Sequence, residues 1–331
     1  MQNFEYANPK TLKEATALLG ASWDDAAVLA GGTDLLSLMK DYVMSPKRVV
    51  NIKNIPELKG IARTPQGLRI GAAATFDELI NSPLLRGEFN ALLDAVKGVS
   101  SPQIRNLGTA GGDLCQRPRC WYYRNGFGLL AQQGRTSMPA EGENKYHAIF
   151  GGGPAYFVSA SSLGPPLIAL GAKVRLVSAA GSREVDVAKF FVAPEKAGVR
   201  EIAMLPNEIL TEIVVPSVAG RRSATYEVRQ KDALDWPLAT ASVTITGAGA
   251  AIKDVSIVLG HVAPTPWPVP DAAKQLVGKG VTQEWADFIA AAAVAGAQPL
   301  SDNGYKVQLA KVAVKRALLA LAKPAPAAPP A

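Results

Sequence analysis

Two glycine-rich segments stand out as places where residue type and spacing could do chemistry. The first is Ala30-Gly31-Gly32-Thr33-Asp34-Leu35, entered directly from an apolar run ending at Leu29. The second is Asn106-Leu107-Gly108-Thr109-Ala110-Gly111-Gly112-Asp113. Paired glycines let a backbone approach a ligand closely and can present consecutive N–H groups in a concave anion-binding nest. The hydroxyls of Thr33 and Thr109 add donors. A lone Gly-Gly turn reads as a tight loop without a ligand. Two of them, each flanked by Thr and Asp, suit the two phosphates of a dinucleotide. A branched side chain at Gly32 or Gly111 is then expected to fill the space a phosphate needs. Neither turn fits the Gly-x-Gly-x-x-Gly fingerprint, and there is no Walker A sequence.

Around the second turn, residues 101–135 hold Arg105, Arg117, Arg119, Arg124 and Arg135 against a single acid, Asp113. That excess favours an anionic ligand or an acidic partner, and equally fits a solvated basic loop. The basic, aromatic stretch Arg117–Arg124 is the candidate docking surface for a partner. Cys115 and Cys120 lie in the same stretch. A zinc or iron–sulfur site needs about four ligands, and the chain adds only His147 and His261, both far along the sequence. Buried structural thiols are therefore expected, with no metal ligands. No activated-serine elbow accompanies the two histidines, so a hydrolytic triad is unsupported.

The elements that must position these turns alternate over the first 215 or so residues. Thr11-Leu-Lys-Glu14 and Thr75-Phe-Asp-Glu78 are capping boxes that open helices, the first running to about Leu19. Strands are expected at Ala26–Leu29, Arg48–Ile52, Leu68–Gly71, Lys173–Ser178 and Ile209–Pro216, and an amphipathic helix at Leu84–Val96. Residues 97–166 read as irregular, with two strands inside, Tyr146–Phe150 and Ala155–Ser159. A helix end is expected at Pro166–Gly171. Beyond residue 220 strands come first (Ala224–Gln230, Ala239–Gly247, Val255–Val262). Helices follow (Asp271–Val277, Thr282–Ala295, Tyr305–Leu321). Strands followed by helices argue for an α+β layer, with a domain boundary near residue 220. The division expected is 1–219, 220–322 and a disordered Pro/Ala-rich tail at 323–331.

With 331 residues, 48% hydrophobic and 19% charged, the chain can bury a core, which excludes wholesale disorder. The net charge of +7 comes without the basic and aromatic clusters of a nucleic-acid surface. No apolar run approaches the ~18 residues of a membrane span. The N-terminus lacks an export signal, so the expected compartment is the cytoplasm, with co-export alongside a signal-bearing partner left open.

The two turns together resemble the FAD-binding (medium) subunits of the xanthine dehydrogenase, aldehyde oxidoreductase and carbon monoxide dehydrogenase family of molybdenum hydroxylases. The first matches that family's Ala-Gly-Gly-Thr-Asp-Leu type loop. The second matches its Asn-Ile-Gly-Thr-x-Gly-Gly-Asn loop, with Leu107 for Ile and Asp113 for Asn. Cys115-Gln-Arg-Pro-Arg-Cys-Trp-Tyr-Tyr-Arg124 is especially like a bacterial branch. The resemblance runs to about residue 322. It implies a two-subdomain FAD-binding unit of the vanillyl-alcohol-oxidase (PCMH) type plus a C-terminal α+β domain, with the flavin between subdomains and its pyrophosphate on both loops. The cofactor-binding residues it implies are Leu29 to Leu35 on the first loop, and Leu107, Thr109, Ala110, Gly111, Gly112 and Asp113 on the second. Ser162, Leu205 and Trp236 complete the set, Trp236 lying in the segment Arg229–Leu238 beside the flavin.

Three departures accompany the match. Some relatives carry a 4Fe–4S cluster on four cysteines after the second turn, where this chain has two. Ser162 stands where relatives often place Asp, and Glu227 or Val228 where they often place Lys. The implied activity is that of an oxidoreductase subunit of the aldehyde or xanthine dehydrogenase type, active only with partners. These would be a large subunit with the molybdopterin cofactor and a small subunit with 2Fe–2S clusters, from which FAD here passes electrons to an external acceptor. No residue of this chain need act as acid or base on the organic substrate. The rival readings are a stand-alone flavin oxidase and a flavin-free structural or assembly subunit.

Overall fold

The computed structural model describes residues 1–99, 101–231, 235–248 and 251–322. The 323–331 tail, expected to be disordered, lies outside the described residues, as do 232–234 of the segment before Trp236.

The alternating first part resolves into two sheets. Glu5–Ala7, Arg48–Asn51 and Ala26–Leu29 form a small parallel sheet with Arg48–Asn51 in the middle. A five-stranded antiparallel sheet runs in the order Ile61–Thr64, Gly67–Gly71, Ile209–Val215, Lys173–Ser178, Gly181–Asp186. Ile209–Val215 holds the central place, with Ile209, Ile213 and Val215 buried and Glu212 pairing with Arg69 and Arg175 of its two neighbouring strands. Arg222–Val228, Ala239–Ala248, Ala251–Gly260 and the short Trp267–Pro268 make a third, antiparallel sheet. The helices Pro270–Lys274, Gln283–Ala293 and Tyr305–Ala322 pack with it around one core. The expected α+β class is what forms, with helices and antiparallel sheets in separate layers.

Each sheet has its own core. Leu58 and Ile55 share one core with Val50 of the parallel sheet. Phe89, Leu92, Leu167, Val174 and Ile213 fill the space beside the five-stranded sheet. Ile257, Leu259, Leu276 and Val314 fill the third. The helix Asn90–Gly98 crosses from one core to the next sheet: the hydroxyl of Ser223 donates to Glu88 O (2.7 Å) and accepts from Ala91 N (3.0 Å).

Local signals were legible where they were complete. Thr75 and Glu78 form a full reciprocal capping box at the helix Phe76–Asn81. At the first helix only half of that box forms. Thr11 accepts from Glu14 N, but the Glu14 carboxylate turns to Lys10 N (2.8 Å), and the helix ends at Ala17. The expected helix Leu84–Val96 is broken in two, because Gly87 takes φ 78° between a 3-10 turn at Pro83–Leu85 and the helix Asn90–Gly98. The strands expected at Tyr146–Phe150 and Ala155–Ser159 do not form. Their backbone groups bond singly to each other and to the chain around Val262, as Ala148 N to Tyr156 O (2.8 Å) and Ile149 N to Val262 O (2.8 Å). The run Gly151-Gly152-Gly153-Pro154 keeps them from extending into a ladder. The stretch read as irregular contains the short helices Pro102–Leu107 and Ala110–Cys115.

Phe89 is fully buried, and the Arg63 guanidinium lies 4.9 Å from its ring centre. Phe89→Ala is expected to cost about 3–5 kcal/mol, as large core truncations do. The denaturant midpoint of the variant, with unchanged transition slope, measures it.

Candidate functional site

The first loop leaves the strand Ala26–Leu29 at Leu29, turns through Gly32 at φ 73°, and enters the helix Leu35–Lys40 behind Asp34. Among the described residues, the backbone N–H groups of Gly31, Gly32 and Thr33 have no hydrogen-bond partner. They belong to residues that line a cleft of about 1070 Å³. Unpartnered N–H groups on a glycine turn are what an anionic group requires.

The second loop works differently from the expectation. Its N–H groups are already occupied: Ala110 N donates to Ala74 O (2.9 Å), Gly111 N to Ala72 O (2.8 Å) and Gly112 N to the Thr109 hydroxyl (3.1 Å). The segment is the first turn of a helix capped by Thr109, not an open nest. Its glycines serve close packing. A Cβ on Gly111 would lie 2.8 Å from the Ala72 Cβ. A Cβ on Gly31, in the other loop, would lie 1.9 Å from the Leu107 carbonyl oxygen. A Cβ on Gly32 would meet only the side-chain ends of Leu36 and Leu29, at 3.1 and 3.2 Å. The space denied to side chains at Gly31 and Gly111 is thus filled by this chain itself rather than held for a phosphate.

The two aspartates tie the loops down. Asp34 accepts from Arg117 N (2.8 Å) and pairs with Arg119 (2.9 Å) and Arg124 (2.7 Å). Asp113 accepts from Leu163 N (2.9 Å), Ser162 N (3.3 Å) and the Ser161 hydroxyl (2.5 Å). Burial pushes the Asp113 carboxyl up to about 6 against these hydrogen bonds. The arginine cluster is accordingly no free basic surface. Arg117 is buried and pairs with Glu201 (2.6 Å), and its guanidinium lies 5.0 Å from the Tyr123 ring centre. Cys115 and Cys120 are part-buried free thiols, and burial pushes Cys115 up to about 12. Among the described residues, no three His, Cys, Asp or Glu side chains converge as metal ligands.

A second cleft of about 850 Å³ shares Thr33, Asp34, Thr109, Gly112 and Gln116 with the first. Joined end to end through the two loops, the two clefts suit an elongated dinucleotide. Ala30 and Leu35 line the first cleft; Asp113, Ser162 and Trp236 line the second. Leu29 lines neither cleft, and its side-chain end lies beside Gly32. Ala110 is fully buried, and Leu107 contributes its carbonyl at Gly31 rather than a cleft wall. Leu205 is exposed and lines neither cleft, whereas its neighbours Met204 and Pro206 line the first. Trp236 is 43% exposed, with the Arg119 guanidinium 4.3 Å from its ring centre, so it stands on the rim and not in a core. Trp23 and Arg200, stacked at 4.0 Å in the first cleft, and Gln116 between the clefts were not signalled by any motif. Gln116 alone was reachable from sequence, as the neighbour of the second loop's helix.

Residues 2–218 match the family model described as the FAD binding domain in molybdopterin dehydrogenase, and residues 224–321 the CO dehydrogenase flavoprotein C-terminal domain. The chain belongs to the FAD-binding medium subunits of the molybdenum hydroxylases. The carbon monoxide dehydrogenase medium chain of Hydrogenophaga pseudoflava is 32% identical over 95% of this chain and 96% of its own length. The aldehyde oxidoreductase FAD-binding subunit of Escherichia coli K12 is 28% identical over 94% and 96%. A solved structure of the Hydrogenophaga pseudoflava carbon monoxide dehydrogenase, lacking the molybdenum-pyranopterin moiety, superposes with a TM-score of 0.74 at 30% identity, covering 96% of this chain and 97% of that one. The unpartnered N–H groups of the first loop and the joined clefts fit FAD, the cofactor of this family of oxidoreductase subunits.

Gly31→Ala is expected to drive the loops apart and weaken FAD binding at least tenfold, because the added carbon cannot sit at 1.9 Å from the Leu107 carbonyl. Gly296→Ala, in open space, serves as the silent control. Titration of FAD fluorescence against each variant, with far-ultraviolet dichroism as the check on folding, gives the comparison.

Proposed function

We propose that this chain is the electron-relay subunit of a molybdenum hydroxylase, one whose flavin takes electrons from the iron–sulfur clusters of a partner and delivers them to an external acceptor. When bound, FAD supplies the chemistry, storing two electrons and releasing them. The chain's own residues bind and orient it. The N–H groups of Gly31, Gly32 and Thr33 receive the pyrophosphate, with Thr109 and Gly112 closing the opposite side. Ser162 and Trp236 border the second cleft, where the ring system is placed. The single observation that carries the reading is the row of unpartnered N–H groups at the junction of two clefts. In this reading the chain divides at about residue 220 into a flavin-binding part, 1–219, and a C-terminal part, 220–322. The partners proposed are a large subunit with the molybdopterin cofactor and a small subunit with 2Fe–2S clusters. The relatives named as medium chains support that, since a medium chain belongs to a multi-subunit enzyme. Among the described residues no helix is long and apolar enough to cross a membrane.

The purified chain is expected to be yellow, to release its flavin on denaturation and to hold no stoichiometric iron or acid-labile sulfide. It is expected to oxidise no aldehyde or purine until its partners are added. A colourless chain, or robust oxidation by the chain alone, would contradict the proposal.

Trp236→Ala is expected to change the rate of flavin reoxidation far more than FAD affinity. An exposed indole on the rim governs access, while stacking contributes only roughly 1 kcal/mol. Stopped-flow reoxidation per bound flavin, set beside the binding constant, separates guarding from holding.

A further inference from the structure

A buried ion pair lies directly behind the wall of the second cleft, at Gly98. That glycine ends the helix Asn90–Gly98 and lines the cleft. Its missing side chain is what leaves room for the pair, because a Cβ there would collide with Glu227 Oε2 and with the Arg229 guanidinium. Glu227 belongs to the strand Arg222–Val228 and Arg229 follows it. The two side chains are bonded to each other, 7% and 14% exposed. The pairing uses one oxygen only. Glu227 Oε1 is buried and has no partner, and neither does Arg229 Nε. A carboxylate withdrawn from water with one oxygen unsatisfied holds its negative charge at a cost that protonation relieves.

Charged groups face Glu227 from each element around it. On the helix Asn90–Gly98, Asp94 accepts from Thr225 N (3.1 Å), and Lys97 is exposed beyond it. Asp113 comes from the helix Ala110–Cys115 and itself lines the second cleft. Arg105 is committed to the carbonyls on either side of Gly98, Lys97 O (2.8 Å) and Val99 O (2.5 Å). Thr240, opposite Glu227 across the sheet, shares its hydroxyl with His261 Nδ1 (3.0 Å). Burial, Lys306 and Arg229 push that imidazole down to about 3, so it is neutral. Among the described residues, three carboxyls therefore converge on the one guanidinium of Arg229. Burial pushes Glu227 up to about 7 against that pairing, and the charges of Asp113 and Asp94 add to the rise. Asp94 is raised by burial as well, and Asp113 to about 6. Glu227 is thus the member of the group that changes charge near neutral pH.

We infer that Glu227 is a positioning residue of the flavin cleft, a carboxyl that takes up a proton when the cofactor in front of Gly98 is reduced and so ties the flavin potential to pH. The inference rests on the electron-relay reading, in which the ring system occupies the second cleft. Two electrons arriving from the partner with one proton leave one extra negative charge in the cleft. The Glu227 carboxylate then takes one further proton from solvent, with Oε1 as its free site, and the local charge is restored. No bond to the substrate or to the flavin is made. Where Glu227 is already protonated there is nothing to take up, and the effect disappears.

The test is spectroelectrochemical titration of the full chain loaded with FAD, repeated across pH. Glu227→Gln keeps the shape of the side chain and an oxygen for Arg229, and removes the titration. Parent and variant are expected to share one midpoint potential below about pH 6 and to separate as pH rises through about 7, with the variant higher because a negative charge is missing behind the cleft. The parent should also show the steeper pH dependence. Asp94→Asn leaves Glu227 in place but removes a charge that raises it, so the separation from Glu227→Gln should begin at lower pH; this second variant carries the test if Glu227→Gln fails to fold. Potentials that coincide at every pH, or that differ by the same amount at every pH, overturn the inference. So does an Asp94→Asn chain whose pH dependence is that of the parent. The visible spectrum reads flavin content on each sample. A parent chain that holds no FAD overturns the electron-relay reading and this inference with it, whereas FAD bound with a potential indifferent to Glu227 overturns this inference alone.

Discussion

The constraint on which the site depends is the approach of Gly31 to the carbonyl of Leu107. No carbon beyond the α-carbon fits there, so the two loops meet through backbone. That contact joins the small parallel sheet, which carries the first loop, to the five-stranded sheet beside the second. Asp34 then locks it from the side, drawing Arg117, Arg119 and Arg124 into the same place. The clefts on either side exist because the loops touch at one point and diverge from it.

Holding ionised groups there has an energetic consequence. Asp34 and the Arg117–Glu201 pair are largely removed from water. Breaking one partner of such a pair typically costs more than the pair contributes, because a charge is left behind without compensation. The second loop carries a cost of its own at Asp113, whose carboxyl is raised by burial even with four donors around it. A carboxyl raised in the folded state binds protons that the unfolded chain releases. Stability from this group is therefore greatest at pH below the unfolded value of about 3.9. It is lost as pH rises through the folded value of about 6. The two aspartates thus hold the loops at different electrostatic cost, Asp34 through arginines and Asp113 through neutral donors.

Arg119 and Trp236 connect the site to its surroundings. The guanidinium bonds to the first loop's Asp34 and lies against the indole, so the rim of the second cleft is positioned by the same residue that helps fix the loops. The helix Tyr305–Ala322 acts at longer range. From it Lys306 reaches back to the carbonyls of Tyr146, His147 and His261, which orders a segment that has no ladder of its own. The irregular backbone of 142–163 is supported in this way by side chains rather than by sheet pairing, with Asn303 adding bonds to the carbonyls of His147 and Ala148 (both 3.2 Å).

What the sequence by itself determined was local. Ala26–Leu29 and Lys173–Ser178 are strands within the limits that their apolar and alternating patterns marked. The Thr75 capping box and the long apolar stripe of Tyr305–Ala322 are helices as read. Turn chemistry pointed to both glycine loops, because a left-handed or crowded backbone leaves a composition that can be recognised without coordinates. The tertiary structure alone decided which loop keeps its N–H groups free, and that Asp34 holds arginines more than eighty positions away. It also decided that Trp236 stands on a rim, that Leu205 lines neither cleft, and that Tyr146–Phe150 forms no strand. Each of those outcomes depends on partners brought together by long-range packing. A residue's type and its neighbours set which hydrogen bonds it can make, but not which group will arrive to make them.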